Sequence, residues 1–276
     1  MKRFKRFLKQ LFNIIKKPEM KVLPGQLAFF LVLSIIPAIV LVGLLCSTFK
    51  VPFTNIVNVI NDVLPEGVGS ILISFINGEG LNLTLGISVI VGFMLASNGP
   101  HSIIVTSNTL YGIEHSSYIK RHIKAILLTA MLLLLVIFTL VVLAFGNDIL
   151  HFILSLKIFS KISGTIYKIF VLFKWPVGLF IVFFIIKLIY SIAPDSYIPS
   201  KYNNRGSIFT TITWSIVTVC YSYYVTNFNN YNLFYGSLTN IILLMLWIYI
   251  LAFILVIGMA INANDYKNAA KDNKKD

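Results

Sequence analysis

Six apolar runs, each 20 or more residues long, constrain this chain more than any other feature. They fall at about 26–49, 81–112, 123–146, 169–192, 207–228 and 236–262. A helix of that length matches a hydrocarbon layer of roughly 30 Å at about 1.5 Å per residue. The balance of residue types agrees. Hydrophobic residues make up 57% of the chain and charged residues 12%, against about 25% charged in soluble domains. The predicted fold is all-α, a polytopic membrane helix bundle of six transmembrane helices with short interfacial amphipathic helices. The six-span domain covers 25–263. A basic amphipathic cytoplasmic segment, 1–24, precedes it, and a charged cytoplasmic tail, 264–276, follows.

A net charge of +13 would also suit a nucleic-acid binder. The placement of the charge points elsewhere. Eight of the 23 Lys and Arg lie in the first 21 residues, and most others sit in short segments between apolar runs. With six spans, one side collects these eight, three from Lys120, Arg121 and Lys124, two from Lys201 and Arg205, and four from the C-terminal tail, 17 in all. The other side holds Lys50, Lys157, Lys161 and Lys168. Basic residues accumulate on the cytoplasmic side, which predicts both termini inside. The expected partners are the lipid bilayer and anionic lipid headgroups at the N-terminal helix; no nucleic acid is expected.

Residues 2–17 read as that helix. Phe4, Phe7, Leu8, Leu11, Ile14 and Ile15 repeat at helical spacing, with lysines on the other faces. Such a helix lies flat on an anionic leaflet. Residues 53–64 carry a second amphipathic pattern and 149–162 a third, both too short to span. The two cysteines, Cys46 and Cys220, lie inside apolar runs, which argues against a disulfide or a metal site. The first apolar run shows no small-x-small cleavage site and reads as a retained span.

No catalytic, cofactor or metal constellation is predicted. A metal-dependent nuclease needs clustered carboxylates or histidines, whereas ten Asp and Glu are scattered over loops and tails. Three features inside the spans carry polar chemistry. Ser97-Asn98-Gly99-Pro100-His101 interrupts the second span, and a proline there predicts a kink or break. His101 is either a substrate or proton contact or a neutral ring bonded to the carbonyls that Pro100 frees. Thr211, Ser215, Thr218 and Ser222 put hydroxyls on one face of the fifth span. They either line a polar path or bond their own preceding carbonyls. Ser34 and Pro37 form a kink motif in the first span, with Ser34 bonding a carbonyl that Pro37 releases or acting in a gating hinge. Lys187 is expected to snorkel to the cytoplasmic headgroups. The charge-free turn Asn227–Ser237, rich in Asn and aromatic residues, suits a membrane–water interface.

These residues resemble the YihY/BrkB family of bacterial inner-membrane proteins, some of which have carried the name ribonuclease BN. The resemblance runs from about Gly25 to Ala263. It rests on Ala28-Phe29-Phe30 with Ser34 and Pro37, on Asn108 with Tyr111-Gly112, and on Tyr190 with Pro194. Its most specific part is Asn227-Phe228 with Tyr231 and Tyr235-Gly236-Ser237. Leu246-Trp247-Ile248-Tyr249 and Gly258-Met259-Ala260-Ile261-Asn262-Ala263 complete it. The family often has glutamate where this chain has Ala260, so a mechanism that needs a carboxylate there is in doubt. The resemblance implies six helical spans in the bacterial plasma membrane. Two functions are compatible with this: a transporter or flippase-like exporter of an amphipathic or lipid-derived substrate, and a non-transporting envelope scaffold. Ribonuclease activity is the weakest alternative. The residues assigned to a path or gate are Asn98, His101, Asn108, Thr211, Ser215, Thr218, Ser222, Tyr231, Tyr235 and Gly236. Those assigned to helix kinks are Ser34, Pro37 and Pro100.

Overall fold

The structure is a computed structural model that describes residues 2–48, 85–135, 163–227 and 239–272. Among these the chain is all-helical. Helix α1, Lys2–Ile15, ends at a turn over residues 16–18, and α2, Glu19–Thr48, follows. Pro18 lacks an N–H and disfavours helix at Lys17, which breaks the run there. The last turns of α1 and the first part of α2 diverge by 71°. Helices α3, Leu85–Ala96, and α4, Asn98–Tyr111, meet at Ser97. Helix α5 covers 118–135 and α6 covers Ser163–Ile192. A 3₁₀ turn, Ser200–Asn203, leads into α7, Asn204–Asn227, and the last helix is α8, Thr239–Asp272.

The helices overrun several of the expected spans. Helix α2 begins at Glu19 and continues through Pro24 and Pro37. Helix α5 starts at residue 118, inside what the charges suggested was a loop. Helix α8 continues to Asp272, well into the charged tail. Once a helix is nucleated, each added residue gains a backbone bond, so composition alone does not end it. Among the described residues, Ile242–Lys271 is long and apolar enough to cross a membrane unaided. The bent pair Lys9–Ile15 and Glu19–Ile35 qualifies if taken as one span, and Pro176–Ile192 is apolar but shorter. The expected interfacial helices at 53–64 and 149–162 lie outside the described residues, as does the turn with Tyr231, Tyr235 and Gly236.

Helix α8 is the centre of the bundle. Residues 254–263 are buried on every face, as expected of a helix apolar all round. It packs against α1, α2, α4 and α7. The core around it takes Leu27 and Ala28 from α2, Ile104 from α4, Ala125 from α5 and Ile186 from α6.

Helices α7 and α8 run antiparallel and approach closely. Gly206 N–H donates to Asn262 Oδ1 at 2.7 Å, and one level along, Trp214 Nε1–H donates to the Leu251 carbonyl at 2.9 Å. Farther along, the Tyr221 hydroxyl bonds the Leu243 carbonyl. A Cβ on Gly206 would fall on the Gly258 carbonyl and Asn262 Oδ1; one on Gly258 would fall on Thr210 Oγ1 and the Tyr190 hydroxyl. Two glycines thus let the backbones touch, the usual route to close helix contact where hydrophobic drive is weak.

Gly258→Ala should therefore cost about 1–3 kcal/mol, as overpacking does, and lower the melting temperature in detergent. Gly178→Ala is the control, because no atom lies within 4 Å of the added methyl. It should leave the melting temperature unchanged or raise it. Equal effects at the two positions would contradict the packing described.

Candidate functional site

The helix break expected in the second span is a one-residue interruption at Ser97. Pro100 falls in the first turn of α4, where its missing N–H would have had no helical partner anyway. The Ser97 hydroxyl donates to the Met94 carbonyl at 2.7 Å. Ser34 of α2 supplies what the new helix start lacks: the Gly99 N–H donates to Ser34 Oγ at 2.7 Å. Ser34 in turn donates to the Phe30 carbonyl at 2.7 Å. This differs from the expected bond to the carbonyl that Pro37 releases. In a helix that carbonyl belongs to Leu33, whereas a serine back-bonds to the residue four before itself. Ser34 and Pro100 thus belong to one contact between α2 and α4, and a Cβ at Gly99 would stand 3.1 Å from Ser34 Oγ.

Helix α4 ends at Gly112, whose φ of 68° lies in the left-handed region. Its N–H bonds the Thr109 carbonyl, and the next N–H, from Ile113, bonds the Asn108 carbonyl at 2.9 Å. That pairing satisfies the last carbonyls of the helix, and it requires glycine at the turn. Lys267 Nζ donates to the Leu110 carbonyl at 2.9 Å.

Asn108, fully buried, faces the loop after α6. Its amide and Asp195 form a reciprocal pair: Asn108 Nδ2 donates to Asp195 Oδ2 at 2.7 Å, and the Asp195 N–H donates to Asn108 Oδ1 at 2.9 Å. Ser116 adds its hydroxyl and its N–H to the same carboxylate, at 2.8 and 3.2 Å. Lys124, in the second turn of α5, reaches Asp195 Oδ1 at 3.0 Å and the carbonyls of Ala193 and Pro194 at 3.0 and 2.6 Å. A cation just beyond the C-terminal end of α6 is also favoured by the helix dipole. Burial alone would raise the Asp195 carboxyl. The hydrogen bonds from Lys124, Ser116 and Asn108 outweigh it and hold the group at about 2.

Asn98, His101 and Asn108 share one side of α4 by their spacing of three and seven residues. His101 packs edge-on to Tyr118 and tilted against His122 of α5, with ring centroids 5.9 Å away in both cases. Tyr118 and His122 stack at 5.7 Å. The expected bond from His101 to freed carbonyls is not made: its Nε2 is buried with no partner. The hydroxyls of Ser102 and Thr106, on the side of α4 that carries Gly99, are likewise buried and unpartnered. Arg121, Asn204, Trp247 and Asn262 each hold one such atom as well, so that three of the seven among the described residues fall on α4. Among the described residues, no group of three His, Cys, Asp or Glu could hold a metal ion.

The hydroxyls of α7 divide. Thr211 donates to the Ser207 carbonyl at 2.8 Å and Ser215 to the Thr211 carbonyl at 2.9 Å, each bonding its own preceding turn. Thr218 is exposed, and the side chain of Ser222 lies outside the described residues. Lys187 is half-buried. The polar atoms that join α7 to its neighbours are on a different side. Tyr190 OH, fully buried, bonds Thr210 Oγ1 at 2.7 Å and the Leu255 carbonyl at 2.8 Å. Asn203 bonds the Tyr111 hydroxyl at 3.2 Å and Ser191 Oγ at 3.0 Å.

Asp195, Lys124, Thr210 and Asn203 are absent from the set that the sequence suggested. Asp195 directly follows Pro194, which was the available signal. The others lie in no motif, and only the packing brings them to Tyr190, Tyr111 and Asn108. Arg205 and Asp265 close the same end of the bundle with an ion pair at 2.8 Å.

An all-helical apolar bundle whose polar side chains fasten helix ends to one another is the construction of a helical membrane protein. The chain belongs to the virulence factor BrkB family, whose family model matches residues 12–276. It is 28% identical to the ribonuclease-like protein YfkH of Bacillus subtilis over 93% of this chain and 94% of that one. It is 25% identical to a UPF0761 membrane protein of Alteromonas mediterranea, covering 91% of this chain and 86% of the relative. For a UPF0761 membrane protein of Vibrio parahaemolyticus the identity is 26%, over 93% and 81%. No solved structure matches the chain.

Asp195→Asn should destabilise the protein by roughly 1–3 kcal/mol, the cost of leaving buried partners unsatisfied. The pH dependence has a fixed sign. A carboxyl held below its ordinary value of 3.8 stabilises the fold above that value, and the contribution is lost as pH falls toward about 2. Melting in detergent from pH 7 to 2 should show this acid loss in the natural chain and a smaller one in D195N. Superimposable pH profiles would remove Asp195 from the role given to it.

Proposed function

We propose that the chain is a six-span protein of the bacterial plasma membrane, with both termini cytoplasmic, that moves an amphipathic or lipid-derived substrate. The topology rests on the charge asymmetry and on which helix ends meet. Lys124 with Asp195, Lys267 with Leu110, Arg205 with Asp265, and Gln10 with Asp265 tie the basic segments to one end of the bundle. That is the side on which the charge count places them.

The transport reading is carried by one observation. His101 Nε2, Ser102 Oγ and Thr106 Oγ1 are buried on α4 without partners, directly after the helix break at Ser97. Interrupted helices with free polar groups at membrane depth are where transporters hold substrates. No nucleotide-binding motif occurs in the sequence, so driving force must come from an ion gradient or a partner. A non-catalytic role is part of this reading, because Asp195, the most heavily bonded carboxylate described, is taken up by structural bonds.

The scaffold reading has its own support. Thr211 and Ser215 bond their own helix, and Ser34, Asn108, Tyr190 and Asn262 all serve helix contacts.

Ser102→Ala with Thr106→Val separates the two. Removing unpartnered buried hydroxyls should leave stability equal or raised. In liposomes with fluorescent lipids or small anions, under a proton gradient of either direction, the natural chain should exceed empty vesicles and the variant should fall below it. Movement no faster than in empty vesicles counts against transport. A variant as active as the natural chain frees these hydroxyls from any part in it.

A further inference from the structure

The N-terminal helix does not lie free. Phe7, Leu11 and Ile14 fall at i, i+4 and i+7, and this stripe faces the bundle. Ile14 is buried in the core with α8, while Phe7 meets the Phe209 ring at 6.2 Å and lies under Arg205 at 5.7 Å. Arg205 is in turn paired with Asp265 of α8. The docked stripe occupies only part of the helix surface. Lys5, Lys9, Phe12 and Lys16 fall at i, i+4, i+7 and i+11 on the opposite side, and all four are exposed. Lys16 stands over the Phe12 ring at 4.2 Å. Ile15 and, across the bend, Val22 are exposed apolar side chains.

The bend then gathers more positive charge. Lys17 is exposed in the turn and Lys21 at the start of α2, and Lys267 and Lys271 at the end of α8. Burial acts most against the charge of Lys267; Lys17 and Lys271 also oppose it, and Glu19 favours it. Like charges crowded at a surface and only partly offset by Glu19 repel one another, and an anion among them relieves the repulsion. With α2 crossing the bilayer, the 71° bend turns α1 toward the plane of the membrane surface. Exposed Phe12, Ile15 and Val22 beside exposed lysines are the composition of an interfacial helix.

We propose that the elbow between α1 and α2, with the end of α8, is a docking surface for anionic phospholipid of the cytoplasmic leaflet. Lys16, Lys17, Lys21 and Lys271 face the headgroup phosphates, and Phe12 and Ile15 enter the acyl region. Because α1 is fastened to Arg205 and α8, lipid bound here bears on the same helix end that Asp265 closes. The inference uses the six-span reading only in letting α2 cross the membrane. Substrate movement has no part in it, so failure of transport leaves it standing.

The test uses the purified full chain in neutral detergent micelles doped with phosphatidylglycerol, with phosphatidylcholine, or with inorganic phosphate alone. Phosphatidylglycerol should raise the melting temperature more than phosphatidylcholine does, and native mass spectrometry should show it retained. High salt should abolish the difference, because exposed charges are screened. Substituting Lys16, Lys17, Lys21 and Lys271 together by Gln should abolish it too, while the same four changed to Arg should keep it. Equal shifts with the two lipids, or a phosphatidylglycerol shift that survives the Gln variant, overturn the proposal. A shift produced equally by inorganic phosphate overturns the membrane as the source of the anion.

Discussion

Close contact between α7 and α8 sets the rest of the structure. A helix buried on every face, as α8 is from 254 to 263, has no side left for solvent or lipid. Its neighbours must approach it tightly, and the backbones can touch only where side chains vanish. Gly206 and Gly258 provide that point, and Asn262 turns it into a hydrogen bond to the N–H of Gly206 at the start of α7. Thr210, Tyr190 and the Leu255 carbonyl then join α6 to the pair. A methyl group at Gly258 would displace three helices at once.

Around this centre the polar side chains divide into two kinds. One kind closes helix ends. Gly99 is received by Ser34, the carbonyls after α6 by Lys124, and that of Leu110 by Lys267. Between helices in lipid the hydrophobic effect offers little, so such bonds and close packing decide which ends meet. The other kind is unspent. His101, Ser102 and Thr106 hold buried hydrogen-bonding atoms with no partner, and they lie just beyond the break that Ser34 stabilises. The fixed contacts frame the unspent ones, which is why the proposed substrate contacts are sought on α4 rather than on the hydroxyls of α7.

Membership of the BrkB family is consistent with this division. Several of the residues that carry the resemblance are the ones that fasten helices: Ser34, Asn108, Tyr111, Gly112, Tyr190, Gly258 and Asn262. Ala260, where the family often has glutamate, is buried in the α8 core. An alanine there suits the apolar surroundings.

The sequence by itself determined the helical class, the approximate places of several of the described helices, the interruption at Ser97–Pro100 and the amphipathic character of α1. These follow from local periodicity, run length and proline chemistry, which act within a few residues. It also placed the hydroxyls of Thr211 and Ser215 on one helix, but it could not choose between a path and bonds to their own turn. Tertiary structure decided what each polar side chain meets. Asp195 and Asn108 are 87 positions apart, and Gly206 and Asn262 are 56 apart. Such pairs depend on the crossing of whole helices, which no local pattern records. The same holds for α1, whose spacing revealed one apolar stripe and one basic stripe. Only the packing of Phe7 and Ile14 showed that the first belongs to the protein, which leaves the second facing outward.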